Sequence, residues 1–134
     1  MKQIPVGAKG RFELVVRPEH LANQFKDTAL PPVLATPVMI MVMVMENAAL
    51  NALKPYLDAG ESAVGTRVDV RHVAPTPIGQ RVAGEAEVTR VDGRRIEFTV
   101  RARDDTEEIG AGTHERVIVD LARLAKRLNT KATG

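Results

Sequence analysis

The sequence predicts an α+β domain, one antiparallel sheet curved around one buried helix. Three observations predict it. The stretch TPVMIMVMVMENAALNALKPYL, Thr36 to Leu57, is apolar almost throughout, and Glu46 is its only charge before Lys54. Four segments of alternating character follow it, separated by turn residues. One more, RFELVV at Arg11 to Val16, precedes it. A sheet with a helix on one face is a stable two-layer plan.

The helix starts at Thr36-Pro37. Thr caps free amides, and Pro suits the first helical position, where its missing N–H costs nothing. Val38 to Met45 alternates Met with Val or Ile, which also suits a short buried strand. The Ala/Leu/Asn-rich continuation favours helix, about 31 Å long if it runs from Pro37 to Leu57. Pro55 ends or kinks its last turn. The uncharged run is too short to span a membrane and is broken by Glu46 and two Asn.

The strands follow from period-two patterning. In the first, Phe12, Leu14 and Val16 share a face and Arg17-Pro18 ends it. Glu19 to Leu34 is a long connection, either a lid or a plain crossover. Asp58-Ala59-Gly60-Glu61 is a stop and turn. In Ala63 to Val73 the alternation puts Val64, Thr66, Val68, Val70 and His72 on one face. Residues 74–79 turn. Arg81 to Val91 carries Val82, Gly84, Ala86 and Val88 inward, and Asp92-Gly93 makes a tight hairpin. Arg95 to Arg103 turns Ile96, Phe98, Val100 and Ala102 inward. Glu108 to Asp120 carries Gly110, Gly112, His114 and Arg116 on one side. A short helix from Asp120 to Leu128 and a frayed tail close the chain.

Composition narrows the function. At 134 residues the chain reads as a single domain, 1–134, with 44% hydrophobic and 27% charged residues, as in soluble globular proteins. Aromatic residues are only 3%, so the core is aliphatic and Met-based and base-stacking platforms are lacking. The net charge of +2 comes from scattered Arg, which argues against nucleic acid as a partner. The absence of Cys excludes disulfides and thiolate chemistry and fits a reducing cytoplasm. Residues 1–10 lack the apolar core of an export signal. His20, His72 and His114 lack the spacing of a metal site, so no metal and no cofactor are expected.

The chemistry centres on Glu46. A carboxylate in an apolar helix is costly unless paired, hydrogen-bonded or protonated. It reads either as a catalytic acid or base or as a structural acid paired with Arg. His72 reads as a proton shuttle or as a core histidine bonded to a carbonyl. Thr36 reads as a positioning hydroxyl, a nucleophile or a plain N-cap. Gly65 allows close approach of a ligand or marks a bulge. Arg116 faces a pocket or pairs with an acid. Arg81, Arg94 and Arg95 either meet phosphates or are solvated.

Several segments together resemble the fluoroacetyl-CoA thioesterase family of hot-dog proteins. They are VLATP (Val33 to Pro37), MENA (Met45 to Ala48), KPYLDAGESAVGT (Lys54 to Thr66), VRHVAPTPIG (Val70 to Gly79), VDGRRIEF (Val91 to Phe98) and TEEIGAGTHER (Thr106 to Arg116). The resemblance implies a hot-dog fold and hydrolysis of a small or short-chain acyl-CoA by a homodimer, with CoA as part of the substrate. It implies Thr36, Glu46 and His72 as catalytic residues and Gly65 and Arg116 as pocket residues. Two departures stand out. The family places its Glu eight residues after its Thr, whereas Glu46 follows Thr36 by ten. The family's lid phenylalanines have no counterpart between Phe25 and Thr36. Two extra residues rotate a helix by about 200° and lengthen it by about 3 Å, so a bulge or a shifted helix start must absorb them. A non-catalytic acyl-CoA-binding hot-dog dimer is the alternative, and a hot-dog hydratase ranks behind it.

Overall fold

A computed structural model describes residues 1–22, 29–34, 40 and 44–133. Strands β1 (Lys9–Val15), β3 (Glu61–His72), β5 (Arg81–Asp92), β6 (Arg95–Arg103) and β7 (Glu108–Asp120) form one antiparallel sheet in the order β1-β5-β6-β7-β3. A small ladder pairs β2 (Val33–Leu34) with β4 (Thr76–Pro77), tying the chain ahead of the helix to the turn after β3. Thr76 is fully buried there and donates its hydroxyl to Asp104 Oδ2 at 2.9 Å. Helix α1 (Glu46–Leu53) lies against the sheet, and helix α2 (Leu121–Thr133) follows β7.

The core is the interface between α1 and the inner face of the sheet. Ile96, Phe98, Val100 and Ala102 of β6, and Val82, Ala86 and Val88 of β5, are buried as their alternation requires. Large apolar side chains contribute about 1.5–3 kcal/mol each on burial. The outer face is a lattice of exposed ion pairs, among them Arg11 with Glu13 and Glu85 and Arg101 with Glu108. Such pairs are worth about 0–1 kcal/mol. The inner face therefore holds the layers together, and the charged depression between Lys9, Arg11, Glu85, Glu87, Thr99 and Arg101 is solvated surface.

Small residues let the layers touch. A Cβ on Gly10 would lie 2.1 Å from Ala48 O and 2.3 Å from Ala52 N, and one on Gly84 would lie 2.3 Å from Val44 Cγ1. The helix backbone thus rests on bare strand at Gly10. Asn51 adds a bond from its side-chain amide to Arg11 O at 2.8 Å.

Three expectations need correction. The helix is not one α-helix from Pro37 to Leu57. Ile40 is helical, Val44 and Met45 are π-helical, α1 proper starts at Glu46, and Lys54–Tyr56 is a 3-10 turn around Pro55. Second, β3 carries a bulge: the pairing with β7 shifts between Gly65 and Arg67, leaving Thr66 as the extra residue. It reverses the alternation, so Val64 and Thr66 face outward while Ala63 and Gly65 join Val68, Val70 and His72 on the inner face. Third, the tail expected to fray is helical to Thr133. Asp120 Oδ1 accepts from Arg123 N at 3.0 Å as an N-cap, and the hydroxyls of Thr130 and Thr133 donate to the carbonyls of Lys126 and Asn129.

Candidate active site

The bulge in β3 brings the site together. Gly65 pairs with Arg116 of β7, so both point from adjacent strands toward the start of α1. Glu46, the first residue of α1, hangs over the bare Cα of Gly65. A Cβ there would sit 2.6 Å from Glu46 Oε1 and 3.1 Å from His114 Cε1. Thr66 anchors the bulge by donating to Glu115 Oε1 at 2.9 Å.

Arg116 is 6% exposed. Its Nη2 donates to Ala63 O at 2.6 Å, its Nη1 lies 3.3 Å from His114 Nε2, and the same Nη1 is 3.7 Å from Glu46 Oε1. The last distance makes an ion pair without a tight hydrogen bond between these two groups. The Glu46 side chain is one-third exposed, which gives a ligand access. Burial lowers the Arg116 pKa from its ordinary value, opposed by the Glu46 charge. His114, 1% exposed, packs on Phe98 with ring centroids 6.0 Å apart.

Of the residues expected in the site, Glu46, Gly65 and Arg116 come together. Thr36 lies outside the described residues. His72 does face inward, half-buried, but it pairs with Gly110 at the far end of the β3–β7 ladder. Seven positions separate it from Gly65, about 20 Å along a strand that includes one bulge. One chain alone does not place His72 beside Glu46. His114 was on the expected face but had no assigned role; the signal was a second ionisable residue beside Arg116 on a strand face that packs against an apolar helix. Arg81, Arg94 and Arg95 pair with Glu13, Glu61 and Glu115.

This geometry sits inside a known family frame. The model of the fluoroacetyl-CoA-specific thioesterase family, FlK, matches residues 16–122. The chain belongs to that family. It is 39% identical over 131 residues to the fluoroacetyl-CoA thioesterase of Streptantibioticus cattleyicolor, covering 94% of this chain and 93% of that one. A solved structure of the fluoroacetyl-CoA thioesterase FlK superposes with a TM-score of 0.87 at 36% identity, over 97% of this chain and 98% of that one. A thioesterase superfamily member from Thermus thermophilus does so with a TM-score of 0.84 at 34% identity, over 99% and 98%. The hot-dog plan holds, although α1 is shorter than the sequence suggests.

Proposed function

We propose that the protein hydrolyses small acyl-CoA thioesters as a homodimer, with Glu46 as the catalytic carboxylate. The observation that carries this is Glu46 itself: an accessible acid held over a glycine floor beside a buried guanidinium. A thioester needs a nucleophile and a positive charge for the oxyanion. Glu46 either takes the proton of an attacking water or adds to the acyl carbon, giving an anhydride that water opens. Arg116 supplies charge beside the developing oxyanion. On either route the tetrahedral adduct collapses by breaking the C–S bond, which gives the acid directly or the anhydride that water then opens. The thiolate leaves readily because its thiol has a free pKa of about 8.5, with Cys as its model. The relative's fluoroacetyl substrate motivates a small acyl group.

The dimer reading rests on β3. Among the described residues it is a 12-residue edge strand, and an open edge of that length invites pairing. Val68 faces the same side as buried His114, yet it is 49% exposed. A second copy paired antiparallel along β3 would cover it. In such a pairing, a twofold axis between Val68 and Asp69 would set Gly65 opposite His72 of the partner subunit. The site then gains its proton donor to the thiolate across the interface.

The test is thiol release from a panel of acyl-CoAs, fluoroacetyl-CoA and acetyl-CoA among them, with wild type and Glu46→Gln. Turnover by wild type and a loss of about 10²–10⁴-fold in the variant are expected. Binding of acyl-CoA without turnover by wild type would overturn the reading in favour of a binding protein.

A further inference from the structure

We propose that His114 is a positioning residue whose neutral ring fixes the Arg116 guanidinium and, through it, Glu46. This rests on the thioesterase reading above for its kinetic consequence, but not for its geometry. Both ring nitrogens of His114 are engaged. Nδ1 lies 2.8 Å from Arg67 O. A carbonyl only accepts, so Nδ1 carries the proton. Nε2 is then the bare nitrogen, and it accepts from Arg116 Nη1 at 3.3 Å.

The arrangement has a direction. Arg67 follows the extra residue of the β3 bulge, so His114 joins the bulge to the guanidinium. Arg116 is held from two sides, by Ala63 O on Nη2 and by His114 Nε2 on Nη1. Two acceptors on separate nitrogens fix the plane of a guanidinium, and the plane sets where Nη1 meets Glu46. A second proton on Nε2 would point at a buried cation. Burial, first, and the Arg116 charge both lower the His114 pKa, against the Arg67 carbonyl and the charges of Glu46 and Glu115. A residue serving only as filler against Phe98 would need neither nitrogen.

Three variants separate the roles. His114→Phe keeps the ring stack and loses both nitrogens. His114→Asn keeps a group near Nδ1, and His114→Gln keeps one near Nε2. We expect His114→Phe and His114→Asn to lose at least about tenfold in kcat with KM little changed, and His114→Gln to recover part of the loss. Wild-type kcat in all three, or equal loss in all three, would overturn the proposal. A second measurement needs no turnover. A long-range ¹H–¹⁵N spectrum of the wild-type protein should show His114 protonated on Nδ1 and bare on Nε2 near neutral pH. The other tautomer, or a doubly protonated ring, overturns the proposal even if the protein hydrolyses acyl-CoA. The expected tautomer in a protein without turnover would instead count against the thioesterase reading alone.

Discussion

Arg116 Nη1 stands 3.7 Å from Glu46 Oε1, across the bare Cα of Gly65. The guanidinium is buried and the carboxylate is not, so the pair is asymmetric: Arg116 is fixed by the sheet and Glu46 is the partner open to a ligand. Arg116→Lys tests this. Lys is a compact point charge on a flexible stem and cannot bond Ala63 O, bond His114 and face Glu46 at once. We expect activity to fall by about 10²–10³-fold, the scale of losing an oxyanion donor. Steady-state kinetics on the best acyl-CoA checks it, with the loss expected in kcat.

Glycine is required at two places for different reasons, which gives a paired prediction. At Gly65 a Cβ meets the far end of the Glu46 side chain, which can swing aside, and lies 3.1 Å from His114 Cε1, which has to give by only a few tenths of an ångström. Gly65→Ala should therefore fold, melt within a few degrees of wild type and lose activity because the carboxylate is displaced. At Gly10 a Cβ meets backbone atoms of Ala48 and Ala52. Those atoms cannot move without shifting α1, so Gly10→Ala should be destabilised by about 1–3 kcal/mol or more. Thermal melts and thiol release on both variants check the contrast.

Much of this was legible in the sequence, and the failures have physical causes. Alternation matches the inner faces of β5, β6 and β7 over Val82 to Val88, Ile96 to Ala102 and Gly110 to Arg116, because the β5–β6 and β6–β7 ladders stay in register over those residues and shift only beyond Val88 and Ala102. It misplaced Val64 and Thr66 because one bulge residue reverses parity, and a bulge leaves no mark on hydrophobic period. That same bulge turns Gly65 inward, so the feature that defeats the pattern also builds the site. The resemblance implies two extra residues between Thr36 and Glu46, and with them a local adjustment ahead of the helix. The π-helical geometry of Val44 and Met45, directly before Glu46, lies where an insertion can be taken up while ENAALNAL stays α-helical. The apolar period of α2 ends at Leu128, so the pattern carries no signal for the last turn, where the hydroxyls of Thr130 and Thr133 bond the carbonyls four residues back.

Acid should loosen the turn between α1 and β3. The Glu61 pKa is lowered to about 2, chiefly by the backbone N–H of Asp58, then by the terminal amine and Arg94. A lowered carboxyl stabilises the fold above its ordinary value of 4.5, and this is lost as pH falls from about 4.5 toward about 2. Wild type should therefore lose more of its melting temperature between pH 7 and pH 3 than Glu61→Gln does. Parallel melts at the two pH values check this, and equal losses would remove Glu61 from the acid response.

The distance between His72 and Glu46 within one chain leads to the sharpest test of a shared site. Glu46→Gln and His72→Ala should each be nearly inactive alone. Unfolded together and refolded, the two variants form mixed dimers in which one site pairs a native Glu46 with a native His72 from the other chain. Random assortment makes half of the dimers mixed and restores one of their two sites, so the mixture should recover about a quarter of the wild-type rate. If each site lay within one chain, every site in every dimer would carry one substitution and the mixture would recover nothing. Native mass spectrometry of the mixture, with one variant isotope-labelled, confirms that mixed dimers have formed, so a null rate then reports on the site and not on assembly.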